Sequence, residues 1–301
     1  MTTPSKLVSA KEAAASIEDG AHLTLSGFAI TRNPMAISHE LIRQNKKNLT
    51  ISQGIGTMDI DMMVGAGMVK CLLYAGGSLD RPGPLHNVNR AIAKGTIECH
   101  EYSFGSISMR FLAGALGIPH IPVQSLLGSD ILNNLLKKDN PDVMVDECPF
   151  TKEKVVRMRA LEPDYAIVHV PRADEEGNAV VYGPKWDEEA IKAAKKIIVL
   201  ADEIVSNEEI LLNPDDVVFP STRVNMVVHQ PYGAYPTAVY TKYDYDIDHL
   251  HYYVSYSKSE EGMQQYLDKY VRNVNDFYEF LEKFGGLKTM QKVAADSMKK
   301  Y

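Results

Sequence analysis

The sequence predicts an α/β fold built on an open, mostly parallel β-sheet flanked by helices, and two observations support this prediction. Short apolar runs alternate with amphipathic helical patterns along most of the chain, as expected when each strand is followed by a crossover helix. Runs such as Val69–Tyr74 and Ile197–Leu200 are continuously apolar, which is typical of strands covered on both faces. We expect one α/β domain over residues 1–256 and a C-terminal helical extension over residues 257–301, packed on or beside it.

Eight segments have the apolar or β-branched composition of strands. They are Leu23–Leu25, Leu49–Ile51, Val69–Tyr74, Thr96–His100, Ala166–His169, Ala179–Tyr182, Ile197–Leu200 and Val224–Val228. Capping boxes predict three helix starts: Ser9 with Glu12, Ser206 with Glu209, and Ser257 with Glu260. Asn33 and Pro34 have the residue types preferred at the N-cap and first position of a helix. The starts at Asn33 and Ser206 lie between predicted strands, as the fold class requires.

The C-terminal extension carries a repeated apolar pattern with spacings of four and three residues. Its members are Met263, Leu267, Tyr270, Val274, Phe277, Leu281 and Phe284. This spacing places one apolar stripe on a helix face. The stripe has two interpretations, docking on the chain's own domain or contact with a partner subunit. Because the pattern covers only about three heptads, docking is favoured.

Composition excludes several classes of protein. The 301 residues carry a net charge of −7 and an isoelectric point near 5.7, which argues against a nucleic-acid-binding face. Cys71, Cys99 and Cys148 are odd in number and widely spaced, so we expect no disulfide framework and no zinc site. No apolar run reaches the length of a membrane span. We therefore expect a cytoplasmic protein with no contact to nucleic acid or membrane.

Small residues follow several predicted strands, and such corners let a ligand or a second backbone approach closely. The corners are Ser26-Gly27-Phe28, Gly76-Gly77-Ser78 and Gly128-Ser129. In an open α/β sheet, ligands collect at the carboxyl ends of the strands. The corners are therefore candidate binding positions, although each also fits a plain glycine-rich turn.

Two other motifs do not support cofactor or metal binding. Gly54-Ile55-Gly56 follows a strand, but Asp59 replaces the third glycine of a dinucleotide fingerprint and would repel a pyrophosphate. Asp59 and Asp61 fit the first turn of a helix, where acids are favoured. His249 and His251 lack a third ligand at a spacing that the sequence fixes. We expect no metal and no nicotinamide cofactor.

The stretch Asp19–Pro34 resembles the signature of family I coenzyme A transferases. This stretch and the family signature share the same order of features: an acid–glycine turn, an apolar strand, a small-Gly-Phe corner and a proline. Further blocks are similar to the A-type chain of the glutaconate coenzyme A transferase branch. They are Ala173–Tyr182, Gln230–Pro236, Tyr243–Asp246 and the final helix to Gly285. The resemblance implies the open α/β fold that these transferases share with ribose-phosphate isomerases.

The resemblance also implies a function. Such an A (alpha) subunit would move coenzyme A between an acyl-coenzyme A and a carboxylic acid, active only with a B (beta) subunit in a hetero-oligomer such as α2β2. In this branch the catalytic glutamate belongs to the B subunit, so no catalytic nucleophile is expected in this chain. The resemblance also implies that the coenzyme A thioester is a substrate and that no cofactor is tightly bound. A C4–C6 dicarboxylate or a hydroxy acid is the implied acid.

The implied substrate-binding residues lie at the corners and at positions aligned with the family pocket. They are Ser26, Gly27, Phe28, Arg32, Gly76, Gly77, Ser78, Phe104, Gln124, Gly128 and Ser129. In the broad family a glycine commonly stands at the position of Arg32, whereas an arginine there is typical of the glutaconate branch. Arg32 could pair with a substrate carboxylate or hold the Asn33–Pro34 corner, and the sequence leaves both open.

Two alternatives to the transferase remain. Related ring-opening hydrolases of steroid-derived coenzyme A thioesters resemble this chain, but they carry a catalytic glutamate where this chain has Phe104 and an arginine where it has Gln124. Since phenylalanine cannot act as a base, the hydrolase is disfavoured. The other alternative is a non-catalytic partner or sensor of the same fold, and no basic face or DNA-binding helix pair supports it.

Overall fold

The structure is a computed structural model that describes residues 5–138, 140–183 and 185–298. In it, strands and helices alternate along most of the chain, as the sequence predicts. The strands are β1 (His22–Leu25), β2 (Leu49–Gln53), β3 (Val69–Tyr74), β4 (Glu98–Glu101), β5 (His120–Val123), β6 (Val143–Glu147), β7 (Lys154–Arg159), β8 (Tyr165–Ala173), β9 (Ala179–Val180), β10 (Lys196–Ile204), β11 (Val217–Phe219) and β12 (Val224–His229). The α-helices are α1 (Ala10–Ala15), α2 (Met35–Arg43), α3 (Met58–Gly65), α4 (His86–Lys94), α5 (Phe104–Ala115), α6 (Asp130–Lys137), α7 (Glu188–Ala193), α8 (Asn207–Leu211), α9 (Ile247–Ser257), α10 (Glu260–Leu267), α11 (Phe277–Lys283) and α12 (Gly286–Met298).

Seven parallel strands form the central sheet in the order β12-β10-β8-β1-β2-β3-β4. The short strand β9 pairs antiparallel with the end of β8, and β11 pairs antiparallel with β9. From β1 the chain adds strands in one direction as far as β4, and from β8 it adds strands in the other. The strand order therefore reverses between β1 and β8, and a ligand crevice is expected outside their carboxyl ends.

Apolar side chains cover both faces of the central sheet. On one face, Leu23 and Ile51 belong to a cluster that contains residues of α1 to α4 and α9 to α11. On the opposite face, Leu73 packs with residues of α5 and of the small sheet. Burial on both faces explains why the parallel strands have continuously apolar sequences. Among the described helices, none combines the length and the apolar character that crossing a bilayer requires.

A second, three-stranded antiparallel sheet in the order β5-β7-β6 was not predicted. Residues 137–154 are a polar stretch of the sequence, and none of the eight predicted strands lies there. Strand β6 has one buried residue, Val143, and four exposed ones, so it lacks the apolar run that marks a strand. Val156 and Met158 of β7 face the core cluster shared with α5, which holds this sheet against the domain.

Helix starts agree with the sequence in two cases and differ in two. Ser9 and Glu12 form the complete capping box of α1, and Ser206 accepts a hydrogen bond from the Glu209 N–H. The prediction for Ser257 is wrong, because this residue ends α9 and Ser259 caps α10 instead. Ser257 and Ser259 are two residues apart, so a spacing rule alone could not separate them.

Pro34 rather than Asn33 is the N-cap of α2, and no side chain caps this helix. Asn33 is fully buried and donates from Nδ2 to Asp59 Oδ2 at 3.4 Å, while its Oδ1 has no partner in the described residues. The amide is therefore drawn away from the helix end by a tertiary contact. The predicted start is displaced by one residue for this reason.

The predicted C-terminal stripe is buried against the domain that precedes it. Its first six residues share one apolar cluster with β1 and β2, and Phe284 packs partly buried at its edge. The stripe is not one helix, since a π-helical turn at Asp268–Arg272 separates α10 from the break before α11. Docking on the chain's own domain, the favoured interpretation, is what the structure shows.

Asp59 lies fully buried in the first turn of α3, and burial raises its pKa from 3.8 to about 6. Because the folded state holds this proton more tightly than the unfolded state, stability falls as the pH rises from about 4 to about 6. The loss is about 3 kcal/mol. Asp59→Asn does not titrate, and the unpartnered Asn33 Oδ1 can turn to accept from its new amide.

As the pH rises from 4 to 7, the unmodified protein loses stability and the Asp59→Asn variant does not. We therefore expect the difference in free energy of unfolding between them to change by about 3 kcal/mol in favour of the variant over this range. Urea unfolding at several pH values measures this difference. Glu261→Gln, which removes an exposed acid, serves as the control and should show a constant difference. A pH-independent difference for Asp59→Asn would contradict the raised pKa.

Candidate active site at the strand-order reversal

The chain turns sharply where β1 ends, at the corner Ser26-Gly27-Phe28. Gly27 has φ +104°, and a Cβ here would lie 2.3 Å from the Thr31 carbonyl oxygen, so only glycine fits. Ser26 Oγ donates to the Arg32 carbonyl at 2.7 Å and accepts from the His169 N–H at 2.8 Å. These bonds fold residues 26–32 back on themselves and tie β1 to β8 at the reversal.

A buried ion pair holds the corner from the opposite side. Arg32 Nη2 donates to Asp187 Oδ1 at 2.8 Å, and the Gly27 N–H donates to Asp187 Oδ2 at 2.8 Å. Arg32 Nη1 also donates to the His169 carbonyl at 3.3 Å. Arg32 is only 3% exposed, so its guanidinium faces the protein. This geometry ties Arg32 to the Ser26-Gly27-Phe28 corner through Asp187, whereas the sequence had suggested the Asn33–Pro34 corner or a substrate carboxylate.

Three aromatic rings enclose a small pocket beside the corner. The ring centroids of Phe28 and Phe104 are 5.7 Å apart, and that of Trp186 lies 5.7 Å from the first and 6.2 Å from the second. The space between the rings is about 20 Å³, room for about one water molecule. Gly54 permits this closure, because a Cβ there would lie 2.6 Å from the Phe104 ring.

The pocket wall combines apolar and polar groups from β1, β2, α5 and α7. Its lining residues are Thr24, Leu25, Gly27, Phe28, Gln53, Gly54, Ile55, Phe104, Ser108, Phe111, Trp186, Asp187, Glu189 and Ala190. Thr24 Oγ1 is buried without a hydrogen-bond partner in the described residues. Trp186, Asp187 and Glu189 were missed from the sequence, because they precede or begin a short helix far from β1 along the chain.

A buried polar network lies behind the corner. His169 Nε2 is 3.1 Å from Asp202 Oδ2, and Tyr243 Oη donates to Asp202 Oδ1 at 3.2 Å. Burial raises the pKa of Tyr243 well above its usual value, so the phenol stays protonated and donates. Because His169 also bonds Ser26 and Arg32 through its backbone, the network fixes β8 where it meets the corner.

The corner Gly76-Gly77-Ser78 lies at the carboxyl edge, with its hydrogen bonds turned inward. The Ser78 N–H donates to the Gly56 carbonyl at 3.1 Å, and Ser78 Oγ accepts from the Asp80 N–H at 2.9 Å. A Cβ at Gly77 would collide with the Gly56 carbonyl at 2.8 Å. This corner therefore packs the loops after β2 and β3 together, and none of its three residues lines the aromatic pocket.

The remaining predicted residues lie in the loop between β5 and α6, apart from the pocket wall. Gln124 is exposed and donates from Nε2 to Glu153 Oε2 at 2.9 Å. Ser129 caps α6 by accepting from the Leu132 N–H, and Gly128 precedes it with φ +76°. The structure therefore brings together Ser26, Gly27, Phe28, Arg32 and Phe104, and it separates the others from them.

One group of potential metal ligands occurs in the described residues, and the sequence did not indicate it. Cys71, Glu98 and His100 on β3 and β4 place their ligand atoms within 4.8 Å of one another. Burial raises the pKa of Cys71 to about 12, and His100 Nε2 lies 2.7 Å from Glu98. Since Asn140 Nδ2 donates to His100 Nδ1, the proton of the neutral ring is on Nε2. Glu98 and Asn140 therefore engage both ring nitrogens of His100.

The chain is thus an open α/β protein with a crevice at the reversal of its parallel sheet, the place where ligands bind in this class of fold. The sequence profile of the coenzyme A transferase family matches residues 7–230. The chain belongs to the coenzyme A transferase family.

Individual relatives agree with this assignment. The A chain of the glutaconate CoA-transferase of Acidaminococcus fermentans is 33% identical over 300 residues, with 93% of this chain and 92% of the relative covered. The crystal structure of that glutaconate coenzyme A-transferase superposes with a TM-score of 0.90 over 96% of this chain and 95% of the other. An uncharacterized protein of Archaeoglobus fulgidus is 35% identical, and this chain spans 64% of its length.

Relatives with other chemistry are also similar. The cholesterol ring-cleaving hydrolase IpdA subunit of Mycobacterium tuberculosis is 26% identical over 94% of this chain and 99% of its own. The decarboxylase AibA/AibB superposes with a TM-score of 0.75 at 29% identity, over 88% of this chain and 99% of that one. The fold is therefore common to proteins that carry out several reactions.

The Arg32–Asp187 pair generates a stability prediction. Asp187→Ala leaves a buried guanidinium without its partner, so we expect a loss of about 3–5 kcal/mol in free energy of unfolding. Arg32→Met combined with Asp187→Ala removes both charges and should cost less than the sum of the single changes. Denaturant unfolding of the three variants measures the coupling, and strict additivity would show that the pair does not hold the corner.

Proposed function

We propose that this chain is the A-type chain of a heteromeric coenzyme A transferase that moves coenzyme A between an acyl-coenzyme A and a carboxylic acid. The observation that carries the proposal is the corner at the β1–β8 reversal, which opens directly onto an enclosed aromatic pocket. The similarity of this chain, over nearly its whole length, to the A chain of the glutaconate transferase supports the same reaction class.

The nucleophile in this proposal is a glutamate of a B subunit, and the reaction is ping-pong. The carboxylate attacks the thioester carbonyl carbon, the C–S bond breaks, and a mixed anhydride and coenzyme A thiolate form. The thiolate then attacks the glutamyl carbonyl, which releases the first acid and leaves a glutamyl thioester. An acceptor carboxylate repeats the two steps in reverse order, so atoms and charges balance without a cofactor.

This chain would supply the acyl pocket and the exclusion of water. Two acids line the pocket. Asp187 is paired with Arg32 and accepts the Gly27 N–H, whereas Glu189 forms no ion pair with any described residue. Phe104 offers no group that could activate water. With an acyl group bound, the three rings would cover it and limit the access of water, which would otherwise hydrolyse the mixed anhydride.

Transfer by the assembled complex tests the proposal. The chain is co-purified with a B subunit, the complex is incubated with an acyl-coenzyme A and a second carboxylic acid, and the new thioester is measured by mass spectrometry. We expect transfer by the complex and none by either chain alone. Release of the free acid alone would identify a hydrolase, and release of carbon dioxide would identify a decarboxylase.

The division of labour between the subunits has its own test. Glu189→Gln in the complex should leave covalent coenzyme A on the B subunit, detectable by mass spectrometry of the separated chains. Ser108→Ala, at another position on the same wall, is the matched control. If Glu189→Gln abolishes transfer and the unmodified complex carries the thioester on this chain, the nucleophile belongs to this chain and the proposal is wrong.

A further inference from the structure

The aromatic pocket discriminates between acyl groups by their charge. We infer that it selects an acyl group with an uncharged end and rejects one that carries a second carboxylate. The inference rests on the proposed function and replaces the dicarboxylate that the family resemblance implied. It follows from the chemistry of the lining residues, taken one group at a time.

No lining residue in the described part of the pocket is a lysine, an arginine or a histidine. The Arg32 guanidinium, behind the corner, is paired with Asp187, donates to the His169 carbonyl and is 3% exposed. A buried carboxylate without a cationic partner is strongly unfavourable. A second substrate carboxylate would therefore have no cationic partner on this side of the site.

The charges that do line the pocket are negative. Glu189 lies in the first turn of α7 and forms no ion pair with any described residue. Two carboxylates several ångströms apart repel each other strongly where aromatic rings exclude water. Glu189 therefore opposes an anionic acyl end, whereas it has little effect on a neutral one.

The rings and the hydroxyl of Thr24 suit a neutral acyl group. Phe28 is 37% exposed and Trp186 57% exposed, so both rings can turn toward solvent to admit a short chain. Thr24 Oγ1, buried and without a partner among the described residues, offers one hydrogen bond to a neutral oxygen of the ligand. The preferred substrate is thus a short aliphatic or hydroxy acyl group.

Butyryl-coenzyme A and succinyl-coenzyme A form a matched pair, since both have four-carbon acyl chains and only the second ends in a carboxylate. In the complex with acetate as acceptor, we expect kcat/KM to be about tenfold or more higher for the butyryl donor. Glu189→Gln should narrow this ratio and Glu189→Lys should narrow it further. A ratio at or below one, or a ratio that Glu189 variants leave unchanged, overturns the inference.

Binding measurements separate this inference from the proposed function. Trp186 is the chain's single tryptophan, so the difference in emission between the unmodified and Trp186→Phe complexes reports the pocket. We expect about tenfold tighter binding of butyryl-coenzyme A than of succinyl-coenzyme A, with or without turnover. If the complex shows this binding preference but no transfer, the proposed transferase function is wrong and the charge selection stands. Equal binding of the two thioesters refutes the charge selection even if transfer occurs.

If the rings contact the B subunit instead of the acyl group, substituting them should separate the two chains. Size-exclusion chromatography of the Trp186→Ala and Phe28→Ala complexes measures whether the two chains stay together. Intact complexes with a raised KM for butyryl-coenzyme A support the pocket. Dissociated complexes, with an unchanged donor ratio in the assembled fraction, overturn it, because the rings would then serve the interface.

Discussion

The buried contact between Asp187 and the corner after β1 is the interaction on which the site depends. One carboxylate neutralises the Arg32 guanidinium and also accepts the Gly27 N–H, so a single residue fixes both charge and backbone. A lone buried charge is too unfavourable to persist, and the two partners therefore require each other. Because Asp187 precedes α7 and Arg32 precedes α2, the pair also joins segments far apart in the chain. The aromatic pocket takes its shape from this junction.

Most of the fold could be predicted from the sequence because parallel strands buried on both faces have continuous apolar runs. All eight predicted strands overlap observed ones. The missed sheet β5-β7-β6 has short, half-exposed strands, whose sequences lack that signal. The helix that should start after Ser257 starts two residues later, since local spacing cannot tell which of two serines accepts the bond.

The site was predictable only in its local parts. Ser26, Gly27 and Phe28 are adjacent, and their residue types suggested a close backbone approach that Gly27 indeed makes. Trp186 and Asp187 reach the same place through the crossover of β8 to β10, which no spacing rule encodes. The role of Arg32 was undecided for the same reason, since its partner lies 155 residues away. Chemistry at a strand-order reversal depends on topology more than on sequence neighbours.

The pairing of β1 with β8 also governs how the protein acquires its structure. Leu23 is paired with Tyr165 and Leu25 with Ile167, so the central hydrogen bonds close a loop of more than a hundred residues. Contacts of such long range form slowly, because the entropy of closing the loop is lost before they stabilise the chain. During synthesis β1 has one unpaired edge until β8 has left the ribosome. The crevice is therefore among the last features to form, and the nascent chain has a strand edge open to aggregation until then.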